Sequence, residues 1–163
     1  MSGSARPTVE SVVPPAVVLK VMNPVVRSIL QSRLHRLFSK ELMLLHVKGR
    51  RSGRVYVVPV GRHEHDGRLV VSAGGGWRRN LAGGGDLEVT IDGRRHPARA
   101  DLVDDPQEVA RIFSELVAEV GLKRANRLGL RIHVDRAPSL EELRAALGDR
   151  QVLLVSLASR PAG

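Results

Sequence analysis

Two Asp-Gly pairs, Asp66-Gly67 and Asp92-Gly93, constrain this chain more than any other feature, because each stands between segments patterned as strands. Asp-Gly accepts positive φ at both central turn positions, the geometry that lets two right-twisted strands close into a tight hairpin. His63-Glu64-His65-Asp66-Gly67 reads as one polar turn, and Leu69–Ser72 follows it as a strand. Leu87–Ile91 and Arg95–Leu102 flank the second pair. Upstream, Leu42–Val47 and Val55–Val60 are apolar, and the second is β-branched, as strands prefer. The middle of the chain therefore reads as antiparallel sheet.

Helices are expected on either side of this sheet. Asp104-Asp105-Pro106 places acids and proline where a first helical turn favours them, with Val109, Ile112, Phe113, Leu116, Val117 and Val120 as the core face. A loop follows. Pro138-Ser139-Leu140-Glu141-Glu142 opens a shorter helix, and Val152–Leu157 supplies a last strand. Near the start, Val25, Val26, Ile29, Leu30, Leu34, Leu37 and Phe38 recur at helical spacing over Pro24–Phe38. That N-terminal helix has two readings: a cover for an open face of the fold, or a basic amphipathic helix lying on a membrane surface. The sum is an α+β chain, a small antiparallel barrel with an N-terminal helix and flanking helices. At 163 residues one domain is expected, over 16–163, preceded by a flexible arm at 1–15 rich in Ser, Pro and Gly.

Composition removes several function classes. The chain has no cysteine, which excludes disulfides and thiolate metal sites. His63 and His65 stand at i, i+2, but no third ligand lies nearby at suitable spacing, so no metal site is expected. His46 and His96 fall in strands and are expected to be structural. No stretch approaches the roughly 18 apolar residues of a membrane span, and the cytoplasm is the expected compartment.

The net charge of +9 is unevenly placed: residues 1–62 hold eleven Lys/Arg against only Glu10 and Glu41. Such a surface attracts nucleic acid, anionic lipid or an anionic small molecule. Tyr56, Trp77, Phe38 and Phe113 are too few for a base-stacking platform, although duplex DNA, which needs no aromatics, stays open.

Much of the charge gathers in the knot Gly49-Arg50-Arg51-Ser52-Gly53, followed by Arg54, between two strands. Backbone N–H groups in a glycine-flanked turn can form a nest for an anion, guanidinium adds bidentate grip on phosphate, and Ser52 adds a hydroxyl. The alternative is a solvated basic turn. It lacks P-loop spacing and precedes a strand, where a P-loop would precede a helix. The second notable piece is SAGGGWRRNLAGGG, Ser72 to Gly85, whose glycines permit close backbone approach to a flat ligand. Trp77 in it is either a core plug or the wall of a cofactor site.

The order and separation of these pieces resemble the deazaflavin-dependent nitroreductase family, split β-barrel oxidoreductases that use coenzyme F420. The family pattern is Thr-Gly-Arg-Lys/Arg-Ser/Thr-Gly, a strand ending in Pro-Leu or Pro-Val, a strand reaching Ser-x-Gly-Gly, then Trp-x-x-Asn-Leu and a Gly-Arg hairpin. Here the matching residues are Gly49 to Gly53, Pro59-Val60, Ser72 to Gly75, Trp77, Asn80-Leu81 and Gly93-Arg94.

The resemblance implies an anionic deazaflavin with a phosphodiester and a glutamate tail as cofactor. It implies that Arg50, Arg51 and Ser52, with Gly53, hold the phosphate and acidic tail, and that Pro59, Ser72, Gly74, Gly75, Trp77 and Asn80 border the cofactor. The acceptor would be a quinone or a nitro compound. Two positive residues of the family pattern are replaced, by Tyr56 and Ala73, and Arg54, Arg78 and Arg79 are the available substitutes. The hydroxyls of Ser72 and Tyr56 are the candidates to orient substrate or supply a proton. FMN on the same barrel class, or ligand binding without turnover (lipid, haem or deazaflavin), are the alternatives. Split barrels of this type commonly form homodimers.

Overall fold

A computed structural model describes residues 6–12, 42–73 and 76–158, and the expected helix over Pro24–Phe38 lies outside them. The described residues fall into two compact units: a sheet unit of 42–73, 76–103 and 152–158, and a helical unit of 6–12 and 104–151. No helix among them is long and apolar enough to cross a membrane.

The sheet unit contains seven strands: β2 (Leu42–Lys48), β3 (Val55–Gly61), β4 (His63–His65), β5 (Arg68–Ala73), β6 (Gly85–Ile91), β7 (Arg94–Val103) and β9 (Gln151–Leu157). Their order across the sheet is β3-β2-β6-β7-β9-β5-β4. Pairings β2–β3, β2–β6, β4–β5, β6–β7 and β7–β9 are all antiparallel. Connectivity then forces curvature. β3 and β4 occupy opposite edges, yet only Arg62 separates Gly61 from His63. A chain spans at most about 3.6 Å per residue, so the two edges must be brought within roughly 7 Å of each other. The sheet curls into a half-barrel, with Arg62 at its corner.

Both expected tight turns form. Asp66 and Gly67 have φ of 51° and 73°, Asp92 and Gly93 of 51° and 75°, and the flanking pairs His65↔Arg68 and Ile91↔Arg94 leave two-residue loops. His63-Glu64-His65, expected as turn, is itself a short strand.

Strand alternation fills the inside of the half-barrel. Met43, Leu45 and Val47 from β2 meet Leu87, Val89 and Ile91 from β6, Leu69 and Val71 from β5, and Leu153 and Val155 from β9. Val58, Val60 and Trp77 pack against this core and remain half-buried. β2 is buried on its other face too, at Leu44 and His46, which explains why Leu42–Val47 shows no alternating polar residues and only His46 interrupts its apolar run.

The helical unit holds α1 (Pro106–Val120), a 3-10 segment (Leu122–Leu128), α2 (Leu140–Leu147) and a two-stranded ladder. α1 begins as its sequence dictates: Pro106 takes the first helical position and the Asp105 carboxylate accepts the Gln107 N–H at 3.2 Å. Its buried residues include Val109, Ile112, Phe113, Leu116 and Val117, while Val120 is half-buried. α2 starts with a capping box in which Ser139 and Glu142 each accept the other's backbone N–H. The ladder pairs β1 (Val9–Ser11), part of the stretch expected as an arm, with β8 (Leu130–Ile132) in the expected loop. Arg150 pins this unit together. Its guanidinium donates to Leu128 O and Ser11 Oγ and sits 5.6 Å from the Phe113 ring centre.

Candidate functional site

The knot is a tightly closed loop joining β2 to β3. Gly49 N–H donates to Arg54 O at 2.7 Å and Gly53 N–H to Gly49 O at 2.9 Å, while Arg54 N–H reaches Ser52 Oγ at 3.2 Å. Arg50 N–H donates to the side chain of Asn80 at 3.1 Å. Among the described residues, the amides of Arg51 and Ser52 alone in the knot are left without a partner, so the available nest is two adjacent N–H groups at the tip. Arg51 and Arg54, both exposed, belong to the same turn. No carboxylate belongs to this loop. With the Ser52 hydroxyl, the donor set suits a phosphate or carboxylate oxygen.

The two knot glycines serve different needs. Gly53 has φ of 68° and open space around it, so its requirement is conformational. Gly49 is spatial: a methyl group there would lie 2.8 Å from Ser52 Oγ and 3.1 Å from Tyr56 Cε2.

Tyr56 pairs with Val47 on the core-facing side of β3 and is 42% exposed at the open end of the half-barrel. Trp77, from the 3-10 segment Gly76–Leu81, packs against the same core and is half-buried. The knot end of the sheet, its mouth, therefore carries two partly exposed aromatic side chains, Tyr56 against Gly49 and Trp77 against the core.

The segment carrying Trp77 is fastened to the knot. Arg50 Nε donates to Asn80 O at 3.1 Å, and its Nη2 donates to Ala82 O. The Asn80 amide accepts from Arg50 N–H and donates to Trp77 O at 3.2 Å. Arg78 is half-buried and donates to Ala73 O at 3.4 Å. Arg50 and Asn80, both expected at a cofactor, are thus bonded to each other. Nothing periodic in the sequence signals that contact, because 30 residues separate them.

Other expected site residues lie elsewhere. Ser72 is exposed on the face of β5 opposite the core-facing Val71 and Ala73, and so opposite in sense to Tyr56. Pro59 pairs with Leu44 on the outward side of β3. Gly74 and Gly75 are outside the described residues.

The opposite end of the half-barrel is chemically distinct. There Arg62, Glu64, Arg68 and His96 rim a cavity of about 400 Å³ over Ile91 and Val155. Its carboxylate, Glu64, makes it a mixed-charge rim, unlike the knot, which has arginines and no carboxylate.

His46 is the buried polar side chain among the described residues, 7% exposed. Its Nε2 lies 2.7 Å from Thr90 Oγ1, and Nδ1 has no described partner. Burial holds its pKa below the usual histidine range, with Arg95 adding to the effect and Glu88 opposing it. A neutral ring donating from Nε2 to Thr90 leaves a bare lone pair inside, the less costly of the two tautomers.

A search of curated proteins finds no match to this chain. The sequence model of the family described as F420H(2)-dependent quinone reductase matches residues 22–135, a span that includes the knot, the Trp77 segment and the whole sheet except β9. With well over half its length matched, the chain belongs to the F420H(2)-dependent quinone reductase family, oxidoreductases that depend on cofactor F420.

Proposed function

We propose that this chain is a catalytically active F420H2-dependent reductase with a quinone as acceptor, holding the phosphate end of its cofactor at the tip of the knot and the ring at the mouth beside it. The observation that carries the reading is that a carboxylate-free cationic turn (the unpaired Arg51 and Ser52 amides, with Arg51 and Arg54) is packed against Tyr56 and fastened to the Trp77 segment. A long polyanion with a flat head asks for that pairing.

When bound, reduced deazaflavin supplies a hydride from its C5, and the protein's part is to bind, orient and exclude water. Arg51 and Arg54 would neutralise phosphate and tail carboxylates. The apolar floor of Val47 and Val58 would keep water from one side of the ring. Tyr56, half-exposed on the core-facing side, is the hydroxyl available to hold a proton near an acceptor oxygen. Ser72, on the other face of its strand, would act from a different side. The positive excess would also steer an anionic cofactor to its site.

The test is titration of the protein with F420 and with FMN, followed by anaerobic oxidation of F420H2 by a soluble quinone and, separately, by a nitroaromatic. The reading predicts saturable F420 binding that salt weakens, quinone-dependent turnover, and weaker FMN binding, since FMN has no glutamate tail. No F420 binding, or binding without turnover on any acceptor, would overturn it. Flotation with anionic vesicles and sedimentation address the membrane contact and the homodimer that we add as secondary proposals.

A further inference from the structure

Resting on the reading above for its ligand arm, we propose that Arg50 is a positioning residue: it clasps the Trp77 segment to the knot, and the anion is left to Arg51, Arg54 and the two tip amides. Arg50 turns both its backbone and its side chain toward one partner segment. The N–H goes to Asn80 Oδ1, Nε to Asn80 O, and Nη2 to Ala82 O. Asn80 passes the constraint on through its own N–H to Trp77 O. The bonds from Nε and Nη2 to the carbonyls of Asn80 and Ala82 use the planar fork of guanidinium, which an ammonium cannot reproduce. Asn80 O belongs to the last turn of the 3-10 segment, where carbonyls need donors from outside it, and Ala82 O lies just past its end.

Charge argues the same division. Arg51 and Arg54 are exposed, and no described residue pairs with them, so they can meet a phosphate without breaking anything. Arg50 would first have to release Asn80 and Ala82, and with them the seat of Trp77.

The chain's single tryptophan makes the clasp directly readable, without any cofactor. Trp77 emission and its quenching by acrylamide would be measured in the wild type, Arg50→Ala, Arg50→Lys, Asn80→Ala, the Arg50→Ala/Asn80→Ala double variant, and Arg51→Ala. The proposal expects both Arg50 variants to expose Trp77 to a similar degree, the double variant to add little to either single one, and Arg51→Ala to match the wild type. F420 affinity would be measured on the same set plus Arg51→Lys. Arg50→Lys should bind as poorly as Arg50→Ala. Arg51→Lys should keep most of the affinity that Arg51→Ala loses, about tenfold or more for one charged hydrogen bond.

An unchanged Trp77 signal in Arg50→Ala overturns the proposal. So does wild-type F420 affinity in Arg50→Lys, which would mark Arg50 as a charge contact. Should wild-type protein fail to bind F420, the functional reading falls, while the Trp77 arm still decides the clasp.

Discussion

Gly49 and Tyr56 are packed so closely that the edge of the ring fills the space a side chain at residue 49 would need. The contact links the turn to the mouth, since the same glycine that closes the knot also receives the ring bordering the proposed site. In Gly49→Ala the Ser52 hydroxyl must turn away and Tyr56 must give by a few tenths of an ångström, which puts the cost near the low end of the roughly 1–3 kcal/mol typical of overpacking. Urea unfolding of the variant checks the cost, and Tyr56 fluorescence or NMR shifts check the displacement.

Gly53 answers to a different test. Its left-handed φ of 68° with open surroundings means that Gly53→Asn should be nearly neutral, because Asn tolerates that region. Gly53→Val should cost about 1–2 kcal/mol or more. Thermal melts of the two variants separate a conformational requirement from a spatial one. Equal losses would contradict the assignment.

His46 predicts a pH dependence with a definite sign. Its pKa in the folded state lies below the unfolded value of 6.5, so the unfolded chain binds the extra proton first. Stability from this group is fully present above pH 6.5 and falls as the pH drops below it toward the folded pKa. Urea midpoints measured from pH 8 to 5 should show that decline in the wild type. They should flatten in His46→Leu, whatever the absolute stability of that variant.

The helical unit carries its own acid-sensitive element. Bonding to Arg136, then the backbone N–H of Ser139, holds the Glu142 carboxyl down at about 2, against an ordinary 4.5. Its contribution is present above pH 4.5 and is lost as the pH falls toward 2. Glu142→Gln should remove that part of the acid transition. Separately, Ser139→Ala should cost about 1 kcal/mol through loss of the cap. Far-UV circular dichroism during acid titration reads both.

Arg150 should be worth more than its surface neighbours. Removing it takes a donor from Leu128 O and Ser11 Oγ and uncovers Phe113. Arg150→Ala is expected to destabilise by roughly 2 kcal/mol, and Arg150→Met, which keeps the apolar stem, by less.

The pattern of what the sequence revealed follows from length and range. Six of the seven strands of the sheet were legible because each runs through two or more alternation periods, and two of the turns carried Asp-Gly. α1 was legible from Asp105-Pro106 and from the spacing of Val109 to Val117. β1 and β8 were not: three residues such as Val-Glu-Ser define no period, and only pairing with a segment more than a hundred residues away makes them strands. The curl of the sheet was hidden for a similar reason, since it depends on β3 and β4 becoming opposite edges.

Within the candidate site, the knot and the Trp77 segment stood out by composition. Composition did not distinguish Arg50, whose guanidinium is bonded to carbonyls of the Trp77 segment, from Arg51, whose guanidinium has no described partner. That difference is a matter of where Asn80 and Ala82 fall after folding.

The most direct test of the functional account is anaerobic oxidation of F420H2 by a soluble quinone, compared between the wild type and Arg51→Ala/Arg54→Ala. The account predicts quinone-dependent oxidation by the wild type and a loss of at least tenfold in kcat/KM in the double variant, carried mainly by KM. Wild-type kcat/KM in that variant would contradict the proposed site, and the absence of any quinone-dependent oxidation by wild-type protein would contradict the proposed reaction.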